Sequence, residues 1–362
     1  MAPVKAVAML EELVRDDPTV VGVVGLVDSR TSTAKALREL NRIGLPAVAT
    51  TLSADKFDDN SELYLQMSAP NADQAKMIRE YAVHLKVSEV LIYYTTGLNS
   101  SRKQDRYVDT LVKALEERFG RRLLKEPAFR WDDQSLAHKT CGYGGLLVFA
   151  GRWSEFDGFL RALTECGDDP PKNLVADDSV NRYMANHHLR KTAPGNVPVT
   201  YVSKAALATC DALWAARKAN NDLRDSFLRL VQKQNPLDRP RCLPNDSTPV
   251  GERVSLAYDA AIMVTDAVER LAARLRPNTQ AKWDPQAVNP ISVHTEMLLR
   301  AQRGFQGVTG LIRFTDDSGV PVSRRISLLK VKSVRDLASE PVEVFHCGVA
   351  DSADDDARCV KP

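Results

Sequence analysis

The stretch Val20-Val21-Gly22-Val23-Val24-Gly25-Leu26 runs into the hydroxyl-rich loop Asp28-Ser29-Arg30-Thr31-Ser32-Thr33. An amphipathic segment from Thr31 to Ile43 and a second apolar run, LPAVAT from Leu45 to Thr50, come next. Short β-branched runs separated by a helix of period 3.6 are the signature of a strand, a crossover helix and a parallel strand. The rhythm continues on both sides of this unit. MAPVKAVAMLEELVRDD reads as an opening amphipathic helix, with acids that a secretory leader would not carry in its apolar centre. Downstream, a helix from Asp73 to Leu85 precedes the strand SEVLIYYT, and a helix from Gln104 to Phe119 precedes GLLVFAG. A helix from Trp153 to Cys166 then precedes NLVA and NVPVTYVS. Fully apolar strands alternating with helices predict doubly wound parallel sheets covered on both faces.

The segment from Lys204 to Leu275 reads as nearly all helix, broken by Pro and Asn-Asp turn residues between Asn235 and Val250. The last third returns to strands in GLIRFT, PVSRRISLLKVKS and VEVFHC. A chain that builds α/β units, turns helical and then revisits β structure is expected to cross between two lobes more than once. Its 362 residues exceed what one core usually holds. The acidic tail DSADDDARCVKP is expected to be solvated.

The composition narrows the function. Lys and Arg number 49 against 47 Asp and Glu, a net charge of +2, so no large field favours a nucleic acid or an anionic membrane surface. No apolar run approaches the roughly 20 residues that span a bilayer. No G-x-S-x-G elbow, H-E-x-x-H, Walker A or G-x-G-x-x-G motif occurs, and no cofactor, metal or enzymatic activity is expected. The adjacent pair His187 and His188 suits a metal poorly and reads as surface.

The cysteines Cys141, Cys166, Cys210, Cys242, Cys347 and Cys359 avoid close metal-ligand spacing. Their preferred reading is a sequential set of disulfides, 141–166, 210–242 and 347–359, which would place the chain outside the cytoplasm. Six buried thiols in a cytoplasmic protein is the alternative.

In doubly wound sheets, ligands bind beyond the carboxyl ends of the strands. Ser29, Arg30 and Thr31 follow the first strand and open a helix, so they offer donors suited to a carboxylate, although Ser and Thr there also serve as ordinary helix caps. Thr51 and Ser53 follow the next strand and should lie beside them. Trp153 reads equally well as helix-end packing or as part of a ligand cleft.

VVGVVGLVDSRTSTAKAL, GLPAVATTLSAD and YLQMSAPNADQAKMIREYA resemble the type I periplasmic binding proteins, especially the leucine/isoleucine/valine-binding receptors of ABC transporters. ECGDDPPKNLVADDS, the "YDA" helix SLAYDAAIMVTDAV and the G-x-x-G-x-x-x-F segment of GFQGVTGLIRFTDDSG continue the likeness in family order. The resemblance implies two α/β lobes with multiple crossovers and a ligand taken between them by hinge closure. Residues 1–69 with 250–322 would form lobe I, and residues 70–249 with 323–362 lobe II.

By the same resemblance, Ser29, Arg30 and Thr31 would hold a ligand carboxylate, and Thr51 and Ser53 its carboxylate and ammonium. Tyr107 would close over the ligand. Asp178, or its neighbour Asp177, would pair with the ammonium. Arg30 departs from the small hydroxyl residue of the pattern, and would either grip a carboxylate or fill the pocket and exclude amino acids.

The likeness begins at the family's second helix, leaving the first strand, helix and second strand without a counterpart. The strand Val20–Leu26 is then expected to carry an open edge, either because the member is truncated or because the edge pairs with another chain in a homodimer through lobe I. The expected role is an extracytoplasmic, non-catalytic receptor for a small polar ligand, an amino acid or amide-like compound, serving ABC transporter membrane subunits. A sensory or scaffold domain of the same fold that has lost its transport ligand is the alternative.

Overall fold

The computed structural model describes residues 3–17, 19–95, 106–128, 134–180, 199–204, 252–274, 288–315, 318–322, 324, 326–331, 343–348 and 358–360. The excursion Asn235–Val250, Cys210, Cys242, His187 and His188 lie outside the described residues. The chain divides into two compact units, one of residues 1–70 and 253–324 and the other of residues 71–252 and 325–362.

The first unit is built on the stretch from Val20 to Thr50. Strands β1 (Val23–Gly25), β2 (Ala47–Ala49) and β3 (Tyr64–Gln66) form a parallel sheet in that order, with Val23 opposite Ala47 and Ala47 opposite Tyr64. Helices α1 (Pro3–Asp16) and α2 (Thr31–Arg42) accompany it. α2 buries Thr33, Ala34, Ala36, Leu37 and Leu40, the face its 3.6-residue period predicts, against a core that includes Val7, Leu45, Leu52, Phe57 and Tyr64.

The strand expected over Val20–Leu26 is only three residues long. Gly25 at φ 145° and Leu26 at φ 60° turn the backbone out of the extended region immediately after it. Among the described residues β1 pairs with β2 alone, so it is an edge strand, and Val24 and Val27 are exposed beside it.

In the second unit, β4 (Val90–Thr95), β5 (Leu123–Ala128), β6 (Leu146–Ala150), β7 (Asn173–Ala176) and β8 (Val199–Ser203) are parallel. Three more strands, whose ranges are given below, extend the sheet to eight. Helix α3 (Asn71–His84) leads into β4, and α4 (Arg106–Phe119), α5 (Gln134–Thr140) and α6 (Phe156–Thr164) are the sheet's crossovers. α6 packs Phe156 and Phe159 against Phe149 of β6 with ring centroids 5.0 Å apart in each pair. Trp153 is partly buried against this core. The disulfide Cys141–Cys166 joins the ends of α5 and α6.

Two long helices, α7 (Glu252–Arg274) and α8 (Pro290–Gln302), precede the C-terminal strands. β9 (Phe305–Gly307), β10 (Gly310–Phe314) and β11 (Pro321–Val322) make an antiparallel sheet in the first unit. The backbone amide of Gln66 in β3 donates to the carbonyl of Gly319, 2.7 Å away, and so ties that sheet's last turn to the parallel one.

The large sheet is completed by β12 (Ile326–Val331), β13 (Glu343–Gly348) and β14 (Arg358–Val360), all antiparallel. The parallel strands expected from the apolar runs are thus continued at this edge by antiparallel ones from the last third of the chain. Within the acidic tail, Arg358–Val360 pairs with β13 as the sheet's last strand. The register sets Cys347 opposite Cys359.

Candidate functional site

The parallel pairing of β1 with β2 brings their following loops together, as the doubly wound reading requires. Ser29 is buried, and its Oγ accepts the backbone amides of Ser53 and Ala54, each at 3.3 Å. Thr51 Oγ1 donates back to the carbonyl of Val27 at 3.1 Å, and Thr33 Oγ1 to the carbonyl of Asp28 at 2.6 Å. These hydroxyls knit the two loops into one rigid polar ledge.

Ser53 is buried within the ledge, and Thr31 forms its half-buried edge at the first residue of α2. Arg30 is the N-cap residue of α2, but its side chain does not cap the helix. The guanidinium is 54% exposed and stands 4.0 Å from Asp28. Arg30 is thus a charged donor on the ledge that reaches solvent, beside the start of α2, where the helix dipole favours an anion.

In the second unit the C-terminal ends of β6, β7 and β8 carry a buried polar cluster. Asp177 has no exposed surface. Its Oδ2 accepts the amide of Gly151 at 2.8 Å, and its Oδ1 accepts the amide and hydroxyl of Ser179 at 3.0 and 2.6 Å. Asp177 therefore staples the loop after β6 to the loop after β7.

Asp178 faces a different set. The Tyr107 hydroxyl, from the first turn of α4, donates to its Oδ1, and Lys204 Nζ lies 2.9 Å from its Oδ2. Its backbone amide donates to Gln74 Oε1 at 2.9 Å. Asn71, one helical turn from Gln74 in α3, donates to the Tyr107 carbonyl and to Thr110 Oγ1, each at 2.9 Å, so α3 fixes the start of α4. Between the two adjacent acids, the structure gives Asp178 the outward-looking role and Asp177 the bracing one.

Glu252, at the start of α7, accepts the amide of Lys204 at 2.9 Å and the hydroxyl of Ser203 at 3.3 Å. Asp178 and Glu252 thus both feel the Lys204 ammonium, and Asp177 lies beside Asp178. Burial, then the charge of Asp178, pushes Asp177 up to about 8. The same causes in the same order push Glu252 up to about 7, against the pull of the Lys204 amide and ammonium. Burial, with both aspartates beside it, holds the Tyr107 phenol well above its usual range, so it remains a donor. Burial thus drives Asp177 and Glu252, the carboxyls next to the Asp178–Lys204 ion pair, toward their neutral forms.

Of the residues singled out from sequence, Tyr107 and Asp178 are bonded directly, and Ser29, Arg30, Thr31, Thr51 and Ser53 share the ledge of the first unit. Gln74, Lys204 and Glu252 were missed. Lys204 was within reach of the rule that selected the others, since it is the residue immediately after NVPVTYVS. Glu252 carried no such signal, because its proximity to Lys204 is created by the fold. Among the described residues no group of three or more His, Cys, Asp or Glu side chains could hold a metal ion, and no helix is long and apolar enough to cross a membrane.

This two-unit α/β arrangement has the fold of the type I periplasmic binding proteins. An ABC transporter substrate-binding protein from Desulfitobacterium hafniense, solved in complex with Leu, superposes with a TM-score of 0.63 at 16% identity, covering 91% of this chain and 83% of that one. A leucine-binding protein, LivK, from Thermotoga maritima gives 0.61 at 15% identity, covering 91% and 81%. A solute-binding protein of an ABC transporter from Rhodopseudomonas palustris, in complex with p-hydroxybenzoic acid, gives 0.60 at 14% identity, covering 91% and 78%. No protein-family model and no curated protein sequence matches the chain.

Proposed function

We propose that the chain is an extracytoplasmic, non-catalytic solute-binding receptor that captures a small polar ligand. The proposed contacts are Ser29, Arg30, Thr31, Thr51 and Ser53 on one side of the ligand's chemistry, and Tyr107 and Asp178 on the other. Residues 1–69 with 250–322 act as one lobe and residues 70–249 with 323–362 as the second. The sequence resemblance supplies the mode of capture, closure about a hinge.

The observation that carries the reading is the bond from Tyr107 to Asp178 at the carboxyl end of β7. Two residues picked by family resemblance, 71 positions apart, meet in one polar cluster, in a fold shared with receptors for Leu and for p-hydroxybenzoic acid. Delivery to ABC transporter membrane subunits, a secreted, lipid-anchored or membrane-tethered location, and a homodimer formed along the β1 edge of lobe I belong to the same proposal. The exposed Val24 beside that edge supports the last of these.

A thermal-shift screen against amino acids, amides and small carboxylates tests the reading, because a ligand bound only by the native state at 100 times its Kd stabilises it by about 2.7 kcal/mol. A selective, saturable shift that Arg30→Ala weakens at least tenfold in affinity, with the melting temperature of the free protein unchanged, is the expected result. No shift with any compound would favour the scaffold domain of the same fold.

A further inference from the structure

In the resemblance Asp178 is the acid that would meet a ligand's ammonium. A carboxylate at the end of a strand can do so only while it lacks a cation of its own, because the ion pair is what offsets stripping water from the amine. Here both oxygens of Asp178 are engaged, Oδ1 by the Tyr107 hydroxyl and Oδ2 by Lys204 Nζ at 2.9 Å.

The Lys204 side chain has no exposed surface, and the strand that delivers it, β8, is buried at all five residues. Its ammonium makes no directed hydrogen bond among the described residues and is held by the charge of Asp178. Swinging it away would leave a bare cation in an apolar interior, so it is a fixed part of the cluster. The other two acids offer no substitute. Asp177 is committed to Gly151 and Ser179, and Glu252 to the Lys204 amide and Ser203. An amine brought to this corner would meet a neutralised acid with a second ammonium close behind it. It would lose its hydration and gain no ion pair.

We propose that Lys204 is a resident counter-ion that closes the ammonium subsite of Asp178, so that the ligand class is a small polar organic acid or neutral compound with no cationic amine, and not a zwitterionic amino acid. This rests on the receptor reading above and narrows it. Arg30 on the ledge of the first unit suits the carboxylate that such a ligand would carry.

The test is calorimetric titration of the full chain with matched pairs: L-leucine against 4-methyl-2-oxopentanoate, L-phenylalanine against phenylpyruvate, and L-tyrosine against 4-hydroxyphenylpyruvate. In every pair that binds at all, the member without an amine is expected to bind at least tenfold more tightly. In Lys204→Met the amino-acid member should gain at least tenfold relative to its partner. Should that variant fail to fold, the comparison in the unsubstituted protein decides alone. An amino acid that binds as tightly as its deaminated partner, or more tightly, overturns the inference and leaves the receptor reading standing. If neither series binds and no amide does, the receptor reading fails and the inference fails with it.

Discussion

Asp259, two turns into α7, accepts the backbone amide of Thr309, fifty residues later, at 2.9 Å, and also takes that residue's hydroxyl and the amide of Val308 at 2.7 Å. The carboxylate is fully buried, and it holds the tight turn between β9 and β10 that begins after Gly307. Thr309 passes the contact on, because Arg324 Nη2 donates to its Oγ1 at 2.8 Å. Two of the sequence signatures, Tyr258-Asp259-Ala260 and G-x-x-G-x-x-x-F, are therefore halves of one structural device. A Cβ on Gly307 would lie 2.3 Å from Asp259 Oδ2, Gly310 adopts φ 99°, and Phe314 is buried.

Removing the carboxylate should be costly. Asp259→Ala leaves two backbone amides and a hydroxyl without their acceptor in a buried place, at a cost of about 3 kcal/mol. The denaturation midpoint should fall accordingly. Gly307→Ala should fall too, and the two substitutions together should cost less than their sum, since both break the same contact. Full additivity in chemical denaturation would show that the two residues act separately.

What the sequence made legible follows from the same logic. Strands buried on both faces, such as Val90–Thr95 and Leu146–Ala150, were plain in their apolar runs, and so were the helices between them. β5 was not, because an edge strand tolerates Lys125, Glu126 and Pro127 in sequence that reads as a loop. β14 was hidden in an acidic tail, where three residues without an apolar run, Arg358–Val360, pair with β13. The polar ledge could be read because hydroxyls after strands have a local signature. Lys204 could not be read as buried, because a lysine is interior only where a carboxylate waits for it, and Asp178 is 26 residues away.

The disulfide between Cys141, just after α5, and Cys166 closes a loop of 25 residues that holds β6 and α6. Chain-entropy arguments give such a loop about 3.5 kcal/mol of stabilisation. Replacing both cysteines by Ala should lower the thermal midpoint by several degrees, and peptide mapping without reductant should recover the two cysteine peptides joined. Two separate alkylated peptides would contradict the bridge.

Asp177 makes stability fall with rising pH. Its carboxyl titrates near 8 in the folded chain and near 3.8 when unfolded, so between those values the unfolded state holds fewer protons and is increasingly favoured. The slope reaches about 1.4 kcal/mol per pH unit. Glu252, raised to about 7, adds in the same direction over most of that window. Urea denaturation from pH 5 to pH 8 should show a loss of stability that is smaller in Asp177→Asn and smaller still when Glu252→Gln is added. An unchanged slope in both would mean these carboxyls are already ionised in the folded chain.

His294 acts in the opposite sense at lower pH. It is buried on α8, its Nε2 has no partner among the described residues, and burial lowers it from 6.5 to about 4. Asp58, Asp59 and Glu62 line the same cavity. Between pH 6.5 and 4 the unfolded chain binds a proton that the folded chain refuses, so the stability present above 6.5 is lost as the pH falls. From pH 6.5 to 4.5 this amounts to roughly 2 kcal/mol. His294→Leu, which keeps the site filled and removes the titration, should be less sensitive to acid across that interval than the unsubstituted chain. If proton NMR shows the His294 ring titrating near 6.5 in the folded protein, one of the three acids is pairing with its imidazolium, and the acid sensitivity must come from elsewhere.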